Sequence, residues 1–364
     1  MVTSAGAIRV GVVGAGFGGY GLTPAFRRDP RCKVMAIAAS TMTNAQAAAA
    51  KWDVPRAGTW QDLVDAQDLD AIAIAAPPAV QPEIAMAAIA EGKAVFAEKP
   101  LASGLADAIA MTTSAEASGL ANMVDFIFPE LSTWRDAKAV LDAGQLGQIS
   151  HVFLDWRMES YDIRSGIKRW KTAGEQGGGV LQFFGSHSFH YLEWMLGPIA
   201  SLSASTSTAP GLSLSGDTLA IVAITFESGV TGSLTLSSSA FLGNGHRLEI
   251  YGDAGSMVLE NSDADPVRGF RLRAGTRESG QLAATSVESG EGNNPSEDSR
   301  VTPVSRLAGR FLDWIAEGAE SAPRFSAGLR SQELLHAALS SSADGGGRIE
   351  TRKIGHRRTI VDPD

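Results

Sequence analysis

The sequence contains a single cysteine, Cys32, among 364 residues. One cysteine cannot form an intramolecular disulfide and cannot supply a cysteine-based metal site. Basic residues are also in the minority, because 31 lysines and arginines stand against 40 aspartates and glutamates, for a net charge of −9. This balance disfavours non-specific binding to nucleic acid or to an anionic membrane, both of which need basic patches.

Long hydrophobic runs are missing as well. No stretch approaches the roughly 20 apolar residues of a membrane span, and the opening residues, MVTSAGAIRV, lack the basic-then-apolar pattern of a signal peptide. A hydrophobic content of 44% and a charged content of 20% are ordinary for a globular protein, and the length suits two domains. We therefore expect a soluble cytoplasmic protein with no nucleic-acid or membrane partner.

The first part of the chain alternates candidate strands and helices. The candidate strands are 8–13, 33–38, 71–75, 93–97 and 121–126, and the candidate helices are 43–52, 61–66, 82–90 and 105–118. Such alternation is typical of parallel strands joined by crossover helices. We therefore predict an α/β domain with a doubly wound parallel sheet over residues 1–125.

A glycine motif follows the first candidate strand and opens a helix. It reads Gly14-Ala15-Gly16-Phe17-Gly18-Gly19, which is the G-x-G-x-x-G pattern in the context that indicates dinucleotide binding. The first glycine permits a tight turn, the second lets backbone approach a pyrophosphate, and the third allows close packing of helix on strand. We predict a Rossmann domain that binds NAD(P) through Gly14, Gly16, Phe17, Gly18 and Gly19.

Two further loops at the same edge of the sheet are predicted to contact the cofactor. The second strand ends at Ala39-Ser40-Thr41, without the acidic residue that usually holds the ribose 2′-hydroxyl of NAD. The hydroxyls of Ser40 and Thr41 can hydrogen-bond a 2′-phosphate, so the pattern leans slightly to NADP(H). Pro77 interrupts the chain after a later strand and is placed to contact the cofactor.

The stretch from Glu91 to Pro100, EGKAVFAEKP, ends a buried strand with three residues that have no packing purpose there. Strand ends of this kind face the ligand in an open α/β sheet. Glu98 and Lys99 are therefore predicted to contact the cofactor, and the ammonium of Lys99 can also hydrogen-bond a substrate oxygen. Pro100 fixes the backbone and suits a cis peptide bond. Taken alone, the stretch is equally consistent with a strand followed by a solvated turn.

Beyond residue 125 the pattern changes. After an amphipathic helix at 129–143, the candidate strands are 149–156, 201–207, 218–226, 231–237, 246–251 and 256–260. No long helices separate these strands, which favours antiparallel pairing. The polar segment 275–300 is predicted to be a long mobile loop, and helices are predicted at 306–318 and 326–341. We predict an α+β domain over residues 126–364 with a large, mainly antiparallel open sheet.

A glycine triplet at 177–179 precedes a helix that carries Gln182, Ser186, His187 and His190. Helical spacing places Gln182, Ser186 and His190 on one face, and the glycines suggest close approach of backbone to a ligand. No matching carboxylate or cysteine spacing accompanies the histidines, so we predict no metal site. Each histidine also has a plain interpretation as a core residue, which suits His190 better.

Together, GAGFGG, EGKAVFAEKP and GGGVLQFFGSH resemble the Gfo/Idh/MocA family of NAD(P)-dependent oxidoreductases, which includes glucose–fructose oxidoreductases and inositol dehydrogenases. The resemblance extends in order over nearly the whole chain. It implies a Rossmann domain followed by an α/β domain whose open sheet often mediates oligomerisation. A homodimer or homotetramer is therefore expected.

The resemblance also implies roles for single residues. Lys99 matches the family's catalytic lysine, and His187 matches the histidine that often serves as general acid and base. The chain departs from the family at Phe183 and His190, where many members carry aspartates. Gln182, next to the first departure, is expected to hydrogen-bond substrate instead. Further candidates for substrate contact are Arg157, Trp170 and His190, together with Trp156 and Tyr191.

The resulting hypothesis is reversible hydride transfer between the nicotinamide and a carbinol carbon of a sugar, cyclitol or sugar derivative. Lys99 would stabilise alkoxide character on the reacting oxygen, and His187 would exchange the hydroxyl proton. Two alternatives stay open. One is a non-catalytic regulatory protein of the same fold that binds dinucleotide and sugar, which the departure at Phe183 favours. The other is an enzyme that keeps its NAD(P) bound and recycles it between two sugars.

Overall fold

The computed structural model describes residues 6–287 and 296–351. Its α-helices are α1 (Thr23–Arg27), α2 (Met42–Trp52), α3 (Trp60–Asp65), α4 (Gln81–Ala90), α5 (Leu105–Ser118), α6 (Ser132–Asp142), α7 (Tyr161–Arg164), α8 (Ser186–Leu196), α9 (Val301–Glu317) and α10 (Phe325–Ala343). Among the described residues, no helix combines the length and the apolar character that crossing a membrane requires.

The described chain divides by its internal contacts into two units. The first comprises residues 6–130 and 296–329, and the second comprises residues 131–287 and 330–351. This division differs from a single cut after residue 125, because a later segment of the chain returns to the first unit.

A six-stranded sheet forms the centre of the first unit. Its strands are β1 (Ile8–Val13), β2 (Cys32–Ala38), β3 (Arg56–Gly58), β4 (Ala71–Ile74), β5 (Ala94–Ala97) and β6 (Asn122–Val124). Their order is β3-β2-β1-β4-β5-β6, and every neighbouring pair is parallel. All residues of β4 and β5 are buried, as small and branched apolar strands require when helices cover both faces. The predicted doubly wound parallel sheet is confirmed.

The returning helix α9 packs against the same sheet. The rings of Phe26, Phe96 and Phe311 meet edge to face, with centroids 5.3 to 6.2 Å apart. These three residues come from α1, β5 and α9, and all of them are fully buried. Their contact explains why a segment so late in the sequence belongs to the first unit.

A nine-stranded sheet forms the centre of the second unit. Its strands are β7 (Ile149–Arg157), β8 (Ile199–Ser207), β9 (Leu219–Phe226), β10 (Thr231–Ser237), β11 (Gly245–Gly252), β12 (Gly255–Asn261), β13 (Arg271–Thr276), β14 (Ala283–Val287) and β15 (Ile349–Glu350). Their order is β14-β13-β12-β11-β7-β10-β9-β8-β15. Among the described strands of this sheet, only β7 and β10 pair in parallel, so the predicted mainly antiparallel open sheet is confirmed.

The loop predicted over residues 275–300 is wrong in part. Strand β13 extends to Thr276, and β14 pairs with it in antiparallel fashion before the described chain breaks off at residue 287. Strand β14 lies at the edge of the sheet and is largely exposed. Its side chains are therefore small and polar, and this composition predicted a loop. Its pairing partner, rather than its composition, makes it a strand.

Candidate functional site

The glycine turn lies at the carboxyl end of β1. Gly14 has φ +122°, and a Cβ on it would lie 2.4 Å from the carbonyl oxygen of Ala75, so β1 and β4 can converge only with glycine there. Gly16 is exposed, and a Cβ on it would meet nothing within 4 Å. A helical stretch, Gly18–Leu22 followed by α1, begins directly after it. The turn therefore offers open space in front of a helix N-terminus, where a phosphate is favoured.

The other residues of the glycine motif pack against protein. A Cβ on Gly18 would lie 2.9 Å from Val12, and one on Gly19 would lie 2.3 Å from the indole nitrogen of Trp52. The ring of Phe17 has the guanidinium of Arg300 4.4 Å from its centroid. Gly18, rather than Gly19, therefore allows the close packing of helix on strand β1, whereas Gly19 packs against Trp52 of α2. Phe17 carries a cation on its face.

Ser40 and Thr41 follow β2 and are both exposed. The hydroxyl oxygen of Thr41 accepts a hydrogen bond from the backbone amide of Asn44, 3.2 Å away, and so caps the N-terminus of α2. The capping explains why position 41 carries a hydroxyl group, so binding of a 2′-phosphate is not needed to explain Thr41.

The Glu98-Lys99-Pro100 segment follows β5, and Gln81 holds it in place. The side-chain amide of Gln81, the first residue of α4, donates to the carbonyl oxygens of Glu98 at 2.6 Å and Leu101 at 3.0 Å. Gln81 is fully buried, and the peptide bond from Lys99 to Pro100 is cis, as the sequence indicated. Pro77 lies in the loop before α4, and its carbonyl oxygen accepts a hydrogen bond from the backbone amide of Gln81 at 3.2 Å.

A pair of carboxyl groups stands beside Lys99. Strands β5 and β6 run parallel with Ala97 opposite Val124, so the next residues, Glu98 and Asp125, are neighbours. Their carboxyl groups are hydrogen-bonded to each other, and Asp125 is 2% exposed. Burial, followed by the charge of Glu98, raises the pKa of Asp125 well above its usual 3.8, although the cations of Lys99 and Arg300 act in the opposite direction.

In the second unit, the segment with the two histidines begins with a π-helical turn, Leu181–Gly185, that continues into α8. A π-helical turn holds more residues than an α-helical turn, so the predicted shared face of Gln182, Ser186 and His190 does not follow from their spacing. Gln182 and His187 are buried, whereas His190 is half-buried. Both histidines and Gln182 nevertheless lie in one continuous helical segment.

The glycine triplet packs against protein, so the close approach predicted for a ligand is made by the chain itself. A Cβ on Gly178 would lie 2.0 Å from the carbonyl oxygen of Trp170, and one on Gly179 would lie 2.2 Å from the carboxylate of Asp217. The same carboxylate accepts from the backbone amide of Leu181 at 2.9 Å, at the start of the helical segment. The triplet therefore brings the Trp170 segment onto the start of the helix.

The polar groups of this segment differ in their surroundings. The side-chain oxygen of Gln182 is buried and accepts no hydrogen bond from any residue that the structure describes. Burial lowers the pKa of His190 to about 3, which makes its imidazole neutral near pH 7. The ring of Trp170 stands edge-on to that of Phe183, with centroids 6.3 Å apart. Trp170, Phe183 and the helical segment therefore form one group.

Three other candidates for substrate contact have protein partners. Arg157 ends β7, and its guanidinium bonds Asp155 at 3.0 Å. Trp156 stacks on Phe184 and on His246, each with centroids 4.2 Å apart, and is 6% exposed. Tyr191 is 0% exposed, and its hydroxyl is 2.9 Å from a ring nitrogen of His246. Trp156 and Tyr191 pack in the core, which weighs against their predicted contact with a polyol.

Sequence reasoning missed three residues of the first unit that touch the predicted site, namely Gln81, Asp125 and Arg300. Asp125 had a local signal, because an acidic residue directly after a buried strand repeats the position of Glu98 after β5. Gln81 opens an otherwise apolar helix, which is a weaker signal. Arg300 had none, since only the return of the chain brings it to Phe17 and Tyr20.

Two family models match the sequence. One, an oxidoreductase family with an NAD-binding Rossmann fold, covers residues 8–126. The other, the C-terminal domain of Gfo/Idh/MocA proteins, covers residues 134–258. The two matches follow each other in the order that the sequence resemblance predicted.

Relatives known by sequence and by solved structure align over most of the chain. An uncharacterized oxidoreductase of Synechocystis sp. is 28% identical over 341 residues, covering 90% of this chain and 92% of its own. Levoglucosan dehydrogenase of Pseudarthrobacter phenanthrenivorans is 24% identical over 381 residues, covering 92% and 96%. A solved levoglucosan dehydrogenase, in complex with NADH and levoglucosan, superposes with a TM-score of 0.81 at 21% identity, over 94% of this chain and 98% of that one. The last likeness shows a common fold.

Proposed function

The chain belongs to the Gfo/Idh/MocA family of oxidoreductases, and from this premise we propose that it transfers a hydride between a nicotinamide cofactor and a carbinol carbon of a sugar, cyclitol or sugar derivative. It is an NAD(P)-dependent dehydrogenase or reductase. The observation that carries the proposal is the carboxyl edge of the first sheet. At this edge, the open glycine turn follows β1, and Lys99 lies on the segment that Gln81 holds after β5.

The cofactor that suits this edge best is NAD(H). The open space at Gly16 and the helix N-terminus behind it fit a pyrophosphate, and Phe17, Pro77 and Glu98 lie on the loops at the same edge. When bound, the nicotinamide would supply C4 as the hydride donor or acceptor. The slight lean to NADP(H) has no support, because Thr41 caps a helix and the family model describes an NAD-binding fold.

We assign Lys99 the role of a hydrogen-bond donor to the reacting oxygen. An ammonium there would stabilise the negative charge that the oxygen gains as hydride leaves the carbon. His187, buried in the second unit, is assigned the exchange of the hydroxyl proton. The two assignments stand on separate residues and can be tested one at a time.

For the substrate, Gln182 offers a buried oxygen ready to accept a hydrogen bond from a hydroxyl group. Neutral His190 can donate one hydrogen bond and accept another, and the half-buried ring of Trp170 offers an apolar face to a sugar. Arg157 is the weakest of the proposed contacts, because Asp155 already binds its guanidinium. Relatives that act on sugars, such as levoglucosan dehydrogenase, support this substrate class.

A substrate panel tests the proposal. In the oxidation assay, the purified protein is mixed with NAD⁺ or NADP⁺ and an anhydrosugar, an aldose or an inositol. In the reduction assay, it is mixed with the reduced cofactor and the keto form of the same compound. Nicotinamide absorbance is followed in both. We expect turnover of at least one polyol, with NAD⁺ preferred over NADP⁺. Binding of NADH without turnover of any compound would contradict the proposal and favour the regulatory alternative. Release of the nicotinamide cofactor only on denaturation would favour the other alternative, an enzyme that keeps its NAD(P) bound and recycles it between two sugars.

We also propose a homodimer or homotetramer formed through the large sheet. Phe153 on β7 and Ile221 on β9 lie on the same face of that sheet and are 44% and 50% exposed. Large apolar side chains on one sheet face favour burial against a second copy. Sedimentation of the wild type and of the Phe153→Glu variant tests this, because the variant should dissociate and an unchanged mass would contradict it.

A further inference from the structure

We infer that Asp125 is a positioning residue for Lys99, which it holds through a hydrogen bond to the side chain of Glu98. The inference deepens the proposed function, because it takes Lys99 as the group that acts on the substrate. Asp125 lies outside the segments that the sequence motifs single out, and its place in the site comes from the pairing of β5 with β6.

Hydrogen bonds connect Asp125 to Lys99 without a gap. The backbone amide of Asp125 donates to the carbonyl oxygen of Ala97 at 2.9 Å, which fixes the residue at the end of β6. Its carboxyl group bonds that of Glu98, and the Glu98 carboxylate accepts from the backbone amide of Lys99 at 3.2 Å. We therefore expect a change at Asp125 to reach the backbone of Lys99 through one intervening side chain, and through that backbone the position of its ammonium.

The charges around the pair determine which form it takes. The charged groups that act on Asp125 are Glu98, Lys99 and Arg300. Two ionised carboxylates in contact at a buried site repel each other, so one proton is retained between them. The raised pKa of Asp125 agrees with this and makes Asp125 the hydrogen-bond donor of the pair. The pair then places one negative charge, rather than two, beside Lys99.

A shared proton makes a prediction that packing alone does not make. Asparagine keeps a donor and carries no charge, so it imitates protonated aspartic acid, whereas leucine has similar size but no donor. If Asp125 acts by donating to Glu98, the Asp125→Asn variant preserves the position of Lys99 and the Asp125→Leu variant loses it. A residue needed only to fill space would show the opposite order or no difference.

The first arm of the test is kinetic and uses the full chain with the substrate found in the panel. We expect Asp125→Asn to keep kcat within about 3-fold of the wild type. Asp125→Leu should lose kcat on the order of 10-fold or more, because small misplacements of a reacting group are costly. Its affinity for NADH, measured by fluorescence, should change by less than about 3-fold. Equal activity of Asp125→Leu and wild type would overturn the inference, and so would equal damage in both variants.

The second arm measures thermal unfolding against pH and needs no turnover. With its pKa raised, native Asp125 binds a proton that the unfolded chain releases above 3.8, so its presence lowers stability as pH rises through that window. Asp125→Asn removes this loss. We expect its Tm to match the wild type near about pH 4 and to exceed it by a few degrees near about pH 8. Parallel Tm curves for the two proteins would overturn the shared proton.

The two arms separate failure of the inference from failure of the proposed function. If no compound in the panel is turned over, the proposed function fails, while the Tm curves still decide whether Asp125 shares its proton with Glu98. Asp70→Asn is the matched control, because Asp70 lies at the other end of the same sheet and bonds Arg9 instead of a carboxyl group. Its Tm curve should differ from the wild type in the opposite direction.

Discussion

The two ends of the six-stranded parallel sheet differ in how their charged groups are partnered. At the amino end, the guanidinium of Arg9 bonds the carboxylate of Asp70 at 2.8 Å. Lys93, which precedes β5 and is 4% exposed, donates to the carbonyl oxygens of Ala66 at 2.8 Å and Leu69 at 3.1 Å. Each of these groups meets a partner of opposite charge or polarity, which lowers its energy in the folded state.

At the carboxyl end one charged group has an unfavourable partner. Asp125 meets the carboxyl group of Glu98 at a site where Asp125 is 2% exposed. Such arrangements cost stability and persist where a ligand or a reaction benefits from them. Under the proposed function, the comparison teaches that one sheet serves stability at one end and chemistry at the other.

The two lysines that flank β5 give the sharpest way to break this comparison. We expect Lys99→Met to lose kcat by a factor on the order of 100 or more with little change in Tm, because it removes the donor to the reacting oxygen. Lys93→Met should keep kcat and lose roughly 1–3 kcal/mol of stability, since a buried and a partly buried carbonyl oxygen lose their donor. Steady-state kinetics and denaturant unfolding measure both effects. A Lys93→Met enzyme with lost kcat and normal stability would invalidate the distinction.

The glycine turn divides the same two roles between neighbouring positions. Gly14→Ala should destabilise the fold by roughly 1–3 kcal/mol, because its φ of +122° is strained for alanine and its Cβ would press on Ala75. Gly16→Ala should leave Tm unchanged and weaken NADH binding about 10-fold, since its methyl group would fill the open space. Thermal unfolding and NADH titration distinguish the two. An unaltered NADH affinity in Gly16→Ala would argue against the turn as the pyrophosphate site.

The smallest expected effect belongs to Asp70. Desolvation by burial raises the pKa of Asp70, but hydrogen bonds from the side chain and backbone of Arg9 outweigh this effect, so that the pKa of Asp70 is lowered overall. The unfolded chain therefore binds more protons in the window below 3.8, so the stability from this pair is present above 3.8 and is lost as pH falls through the lowered pKa. Asp70→Asn should cost up to about 1 kcal/mol at neutral pH, and the difference should vanish in acid. A pH-independent difference in unfolding free energy would contradict the ion pair as its cause.

Local patterns were sufficient for the features that depend on neighbours in sequence. The glycine motif between a strand and a helix, and the charged segment after β5, both indicated the ligand edge of a parallel sheet. The glycine triplet at 177–179 showed the limit of such reasoning, because glycine reports close approach but not what approaches. In the structure the approaching groups are Trp170 and Asp217.

The sequence by itself determined the alternating α/β half, the antiparallel half, the dinucleotide turn and the family, because each depends on residues close together in the chain. Only the tertiary structure decided that Asp125 faces Glu98, that Arg300 returns to Phe17, and that residues 283–287 form a strand. Those features depend on which strands pair and where the chain returns. Which segments pair depends on contacts between residues far apart in the sequence, and the hydrophobic periodicity of either segment alone does not predict those contacts.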